Sequence, residues 1–108
     1  MLIVAEVTYE VTDPTVDSQI AQLKASGANV FMNFSNGKFT VQSLRRAGEM
    51  GWTPQIYLPV GSTSITSILK PAGPERAVGA ITISNHKNPL DPQWRDDPGM
   101  KEYLDFMK

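Results

Sequence analysis

A chain of 108 residues with a formal net charge of −1 bounds a single domain with a modest core, too small to enclose a large internal cavity. Arg45-Arg46 is the only adjacent basic pair, most simply a solvated helix face, so the basic stripe that marks nucleic-acid binding is missing and nucleic acid is excluded as a partner. The absence of cysteine removes disulfides, thiolate catalysis and Cys-based metal sites, and no apolar run approaches the roughly 20 residues that a membrane span requires.

The β-branched, apolar run Leu2 to Thr8 predicts a first strand, with no basic region or cleavage site of a signal peptide ahead of it. A core strand that opens at residue 2 leads to the expectation that the sequence is a piece of a longer protein. Asp13-Pro14 reads as a helix start, the carboxylate capping and the proline tolerated in the first turn. Val16, Ile20 and Leu23 then share one face, and Gly27 ends the helix in the left-handed conformation.

The stretch from Ala28 to Trp52 carries the organising pattern. Asn29 to Phe34 is a second strand, Ser35-Asn36-Gly37-Lys38 breaks it with Ser35 or Asn36 as cap, and Val41, Leu44, Ala47 and Gly48 stripe a helix that Gly51 stops. Gln55 to Leu58 is a third strand. Beyond Pro59-Val60-Gly61, Ser62 or Thr63 is read as the cap of a short helix with Ile65, Ile68 and Leu69 inward, closed by Pro71. Val78 to Ile83 supplies a fourth strand, and Asn85 to Asp96 is irregular. Asp97-Pro98 repeats the cap-plus-proline device before a last helix with Met100, Tyr103, Leu104 and Met107 on its face.

This alternation predicts an α/β fold, a three-layer α-β-α arrangement with a mostly parallel, Rossmann-like sheet joined by right-handed crossovers. Ligands of such sheets gather where loops leave the carboxyl ends of the strands. Those loops are Tyr9–Asp13, Ser35–Lys38, Pro59–Ser64 and Ser84–Lys87. Their hydroxyls, amides and single lysine suit a small polar or anionic ligand at helix N-termini. Tyr9 and Phe39 flank the same edge, and Trp52 and Trp94 read as structural.

Catalysis is poorly served. His86 is the only imidazole, and no Ser-His-acid spacing accompanies it. A phosphoacceptor domain needs acidic strand ends where this chain has Phe34-Ser35 and Val60-Gly61. A dinucleotide fold needs a Gly-rich turn where Tyr9-Glu10-Val11-Thr12-Asp13 stands, and there is no P-loop. Asp91, Asp96 and Asp97 could hold a hard cation, but Asp97 is better explained as a cap, so no metal and no cofactor is expected.

The segments Tyr9-Glu10-Val11-Thr12-Asp13-Pro14-Thr15-Val16-Asp17-Ser18-Gln19-Ile20, Leu23-Lys24-Ala25-Ser26-Gly27-Ala28, Asp91-Pro92-Gln93-Trp94 and Asp96-Asp97-Pro98-Gly99-Met100-Lys101 closely resemble the extracellular ligand-binding receptor family. These are the leucine/isoleucine/valine-binding-protein type of periplasmic substrate-binding proteins of ABC transporters, and the resemblance covers nearly the whole chain. It implies a type I periplasmic-binding-protein fold in which two α/β lobes close on a ligand. Residues 1–108 would then be a single truncated lobe, most of the second.

The family's strand order places an absent strand between the first and second strands here. The expectation is that these two either pair directly or leave a gap filled by another copy, through dimerisation or strand exchange. The resemblance also implies a non-enzymatic, periplasmic solute-binding component that delivers a branched-chain amino acid or related small organic solute, such as an organic acid, to a membrane permease. The expected ligand contacts are Tyr9, Ser35, Asn36, Lys38, Phe39, Val60, Ser62 and His86. Where amino-acid-binding relatives carry an acidic residue for the ligand's ammonium, this chain has Val60, which favours an uncharged or anionic ligand. A sensory receptor domain of the same fold and a flavodoxin-like enzyme or regulatory domain are the alternatives.

Overall fold

Two short strands set the frame through the period-2 alternation of their side chains. In β1 (Val30–Met32) Phe31 is buried between exposed neighbours, and in β2 (Gln55–Leu58) Ile56 and Leu58 turn inward. β3 (Ile81–Thr82) completes a sheet of order β1-β2-β3 in which both pairs are parallel, with Phe31 opposite Ile56 and Tyr57 opposite Ile81. The structure, a computed structural model, describes residues 2–108; Met1, counted in the expected lobe, lies outside the described residues.

Among the described residues four α-helices accompany the strands: α1 (Asp17–Ala25), α2 (Lys38–Glu49), the short α3 (Lys70–Ala72) that continues a π turn over Ile65–Leu69, and α4 (Pro98–Phe106). α1 packs on α2 and α2 on α3. One core joins them to the sheet through Val16, Ile20, Phe31, Phe39, Leu44, Ala47, Ile56, Leu58 and Ala72. The α/β class and the parallel sheet are as the sequence predicts. Of the expected two helical layers, the described residues build one against the sheet. A strand order that advances in one direction sends each right-handed crossover back over the same face, and covering the second face needs a reversal of order. That second face presents Val30, Met32, Tyr57 and Ile81 half-exposed.

The predicted first strand is not paired with the sheet. Ala5, Val7 and Tyr9 are half-buried while Val4, Glu6 and Thr8 are exposed, so the segment alternates as a strand does. A slot of about 920 Å³ separates it from β1, floored by Val16, Gln19, Ile20 and Leu23. Of the two outcomes expected from the family's strand order, direct pairing and a gap, the structure has the gap.

Other boundaries move for local reasons. Asp13 closes a turn instead of capping a helix: its carboxylate accepts from the Glu10 N–H at 2.9 Å and its own N–H donates to the Glu10 carbonyl at 2.9 Å. α1 therefore starts at Asp17, with no side-chain cap. Gly27 ends it at φ +76°, as predicted. Ser64, not Ser62 or Thr63, accepts from the Ser67 N–H ahead of the π turn. Pro71 lies inside α3 rather than closing it, because the widened π turn eases its ring past the preceding carbonyl.

The fourth predicted strand shrinks to Ile81–Thr82, since Ala77 to Ala80 forms a turn closed by the Ala80 N–H on the Ala77 carbonyl. Arg45 is exposed, as a solvated helix face requires, and its Nε also donates to the Pro71 carbonyl at 2.8 Å, which ties α2 to α3. Trp52 is structural, its Nε1 donating to the Ala28 carbonyl at 3.2 Å and its ring lying 5.2 Å from that of Phe31. On α4 only Met100 is buried, and Tyr103, Leu104 and Met107 stand exposed because no described element packs over them.

Asp97 caps α4 as predicted, accepting from the Met100 N–H at 2.9 Å. Lys87 Nζ stands 2.6 Å from the same carboxylate and 5.1 Å from the Trp94 ring centroid. The Lys87 hydrogen bond first, and the Met100 N–H second, hold the Asp97 carboxyl below the ordinary aspartate range. A lowered folded-state pKa contributes stability that is full above the ordinary value and fades as pH falls through the lowered one. An acid titration followed by Met100 amide exchange should therefore show the first turn of α4 opening below the ordinary aspartate range, and Asp97→Asn should shift that transition. In the core, Leu44 is 1% exposed, so Leu44→Ala should cost about 2–5 kcal/mol in urea denaturation.

Candidate functional site

Phe31, Asn33 and Ser35 share one face of β1 and its continuation, so the strand's covered face turns polar as it reaches its carboxyl end. There it meets Thr40 and Ser43, one turn apart on α2. Asn33 Nδ2 donates to Ser43 Oγ at 2.7 Å, and Ser35 Oγ donates to Asn33 Oδ1. Ser62, in the 3-10 turn Val60–Ser62 after β2, is 0% exposed and donates from Oγ to the Ser35 carbonyl at 2.6 Å. Thr40 Oγ1 lies 2.8 Å from that carbonyl and 3.1 Å from Ser62 Oγ. Five buried polar side chains thus satisfy one another and lock two rim loops to the first turn of α2.

Above this network the rim is open to solvent. Asn36 is exposed, its Oδ1 3.3 Å from Ser62 Oγ and its N–H directed at Tyr9 Oη at 3.4 Å. The Tyr9 and Phe39 rings lie 4.4 Å apart, and Lys38 Nζ stands 4.7 Å over the Phe39 ring. Gly37, at φ +55°, turns the chain into α2 and is the residue preceding its first turn. Neither Ser35 nor Asn36 caps the helix as expected. The Ser35 side chain is held in the buried network, and Asn36 serves through its backbone, its carbonyl accepting from the Phe39 N–H at 3.2 Å. The N–H groups of Gly37 and Lys38 have no backbone acceptor among the described residues.

The eight expected contacts therefore divide. Tyr9, Asn36, Lys38, Phe39, Ser35 and Ser62 come together at the ends of β1 and β2. Of these, Phe39, Ser35 and Ser62 are buried, which makes them the support of the rim, whereas Asn36 and Lys38 are free to meet a solute. Val60 is half-exposed on the adjacent turn. His86 is on the same edge of the sheet, beyond β3, but lines a second concavity of about 470 Å³ with Thr63, Ile65 and Trp94. Its loop is held by Ser84, whose Oγ accepts from the His86 N–H at 3.2 Å.

Asn33, Thr40 and Ser43 were not among the residues expected from sequence, nor was Thr63. The usable signal is the polar pair Asn33 and Ser35 at strand spacing, followed by Thr40 and Ser43 at helical spacing. Two polar pairs that fall on otherwise buried faces must satisfy each other. No group of three or more acidic or histidine side chains suited to a metal occurs among the described residues. Asp91 caps the 3-10 turn Pro92–Trp94 through the Gln93 N–H, and Asp97 caps α4.

Parallel strands whose polar loops collect along one rim make a Rossmann-like α/β lobe, and that rim is where ligands of such sheets bind. The profile described as periplasmic binding protein matches residues 2–107. The chain belongs to the periplasmic binding protein family, a family of binding proteins, not enzymes, whose members are generally periplasmic or extracellular. Neither curated proteins nor solved structures give a match.

Ser62→Ala would strip the Ser35 carbonyl and Thr40 hydroxyl of a buried partner. It should destabilise the chain by about 1–3 kcal/mol in urea denaturation, a loss that a surface rim serine would not produce.

Proposed function

We propose that the chain is the second-lobe part of the solute-binding component of an ABC transporter, a single lobe that supplies half of a ligand site. Its solute is a branched-chain amino acid or related small organic solute, held through a carboxylate or another polar acceptor group. The observation that carries this reading is the pairing of exposed donors with a rigid support. Lys38, Asn36 and the free N–H groups of Gly37 and Lys38 sit at the N-terminus of a 12-residue helix, where the helix dipole favours negative charge. The buried hydroxyl network beneath holds them in place, which limits the ordering cost of binding.

Among the described residues the buried polar side chains of this lobe are Asn33, Ser35, Thr40, Ser43 and Ser62, with no aspartate or glutamate among them. A ligand ammonium would therefore find no buried carboxylate partner in this lobe, so an amino acid would need that partner from the other lobe, and an anionic or uncharged solute of the same class suits this rim better. In the complete protein a second lobe would close over this rim by hinge motion, and the closed form would be the one a membrane permease engages in the periplasm. A lone lobe makes half the contacts and binds weakly.

The test is an amide-shift titration of the chain with branched-chain amino acids, aliphatic and aromatic carboxylic acids and short amides. Saturable shifts at Gly37, Lys38 and Thr63, larger for acids than for amines, are the expected result. A panel that moves none of these amides would overturn the reading. Lys38→Met should weaken the best acid about 10-fold or more, the effect of losing a charge-assisted hydrogen bond of roughly 1.5–3 kcal/mol, while leaving thermal stability unchanged.

A further inference from the structure

Asparagine is a thermolabile residue whose side chain can be lost by attack from within the chain. The nitrogen of the following residue closes on the side-chain carbonyl carbon, so the reaction needs an accessible amide, no crowding β-carbon on the attacking residue and a nitrogen that is not already engaged. The asparagines of this chain differ sharply by these requirements. Asn33 is 4% exposed, its amide bonded to Ser43 and Ser35. Asn88 precedes Pro89, which has no N–H to give up. Asn29 is exposed, but the next residue is the β-branched Val30. Asn85 precedes His86, whose N–H already donates to Ser84 Oγ at 3.2 Å.

Asn36 meets every requirement. It is exposed, and the one contact of its side chain is Oδ1 to Ser62 Oγ at 3.3 Å, which leaves Nδ2 unbonded among the described residues. The next residue is Gly37, at φ +55° and ψ −127°, a conformation that favours glycine. The space beside it is open, with nothing within 4 Å of where a β-carbon would stand. Its N–H has no backbone acceptor among the described residues. The positive end of α2 and the neighbouring Lys38 ammonium favour both the deprotonated nitrogen that attacks and the carboxylate that results.

We propose that Asn36 is a site of spontaneous modification that changes which solutes the rim accepts. The Gly37 nitrogen loses its proton and bonds to Asn36 Cγ, the Cγ–Nδ2 bond breaks, and the side-chain nitrogen leaves as ammonia with that proton. Water then adds to the cyclic imide and opens it at one carbonyl or the other, leaving aspartate or isoaspartate, with nothing oxidised or reduced. The effect on solutes rests on the solute-binding reading above. An amide able to donate to an anionic solute becomes a carboxylate that repels it and offers a ligand ammonium the partner this lobe lacks. The rim thereby turns from acids toward solutes that carry an ammonium group.

Incubation of the folded chain in mildly alkaline buffer, followed by peptide mass mapping with isoaspartate detection, tests the modification without any solute. The expected result is conversion at Asn36 about 10-fold or more ahead of Asn29 and Asn85, at a rate close to that of the urea-unfolded chain, and none at this position in Asn36→Gln. A folded chain that keeps the Asn36 amide while the unfolded chain loses it would overturn the proposal, as would equal conversion at Asn29 or Asn85. The change in preference is read from Asn36→Asp, which should bind the best acid of the panel about 10-fold more weakly and the corresponding amine more tightly. Acid affinity unaltered in Asn36→Asp overturns that change. A chain that binds no acid before or after modification overturns the solute-binding reading and the change in preference with it, whereas the mass map decides the modification in either case.

Discussion

The Ser62 hydroxyl, wholly buried and donating to the Ser35 carbonyl, is the contact on which the rest of the rim depends. Ser35 ends the β1 segment, Ser62 lies just past β2, and Thr40 in the first turn of α2 touches both. A serine and a threonine there turn three separate chain segments into one rigid platform. Apolar residues of the same size would leave the Ser35 carbonyl buried without a donor. Asn36, on top of that platform, is held by its Oδ1 near Ser62, by its carbonyl accepting from the Phe39 N–H and by its N–H directed at Tyr9 Oη.

Strand order governs the other large feature. Because β1, β2 and β3 follow one another in a single direction, the crossovers share a face, and the core forms between that face and α1, α2 and α3. The opposite face keeps Met32, Tyr57 and Ile81 in contact with solvent, and α4 leaves Tyr103 and Leu104 uncovered. For a periplasmic binding protein these surfaces sit away from the rim loops that leave the strand ends. The slot along the open edge of β1, by contrast, reaches the rim itself, for Tyr9, Asn33 and Ser35 line it.

Corrections to the element boundaries share one cause. At Asp13, Ser35 and Ser62 a short polar side chain with cap potential found a nearer partner: the Glu10 amide for the first, and the buried hydroxyl cluster for the other two. At Asp97 the predicted cap held, because Lys87 takes the other carboxylate oxygen and leaves one for the Met100 N–H. Cap chemistry is thus local, but its outcome is settled by which donors the tertiary structure brings within reach.

By itself the sequence determined the α/β class, the parallel direction of the paired strands, the glycine stop after α1 and the edge on which polar loops collect. Each of these follows from periodicities and backbone preferences that act over a few residues. Only the tertiary structure decided that the apolar run Leu2–Thr8 stands unpaired across a concavity from β1, because pairing depends on neighbours and not on propensity. It also decided that Ser35, Ser62 and Phe39 support the rim while Asn36 and Lys38 face outward. Burial is a property of packing between segments far apart in the chain, and residues of similar chemistry in one loop were sorted by it.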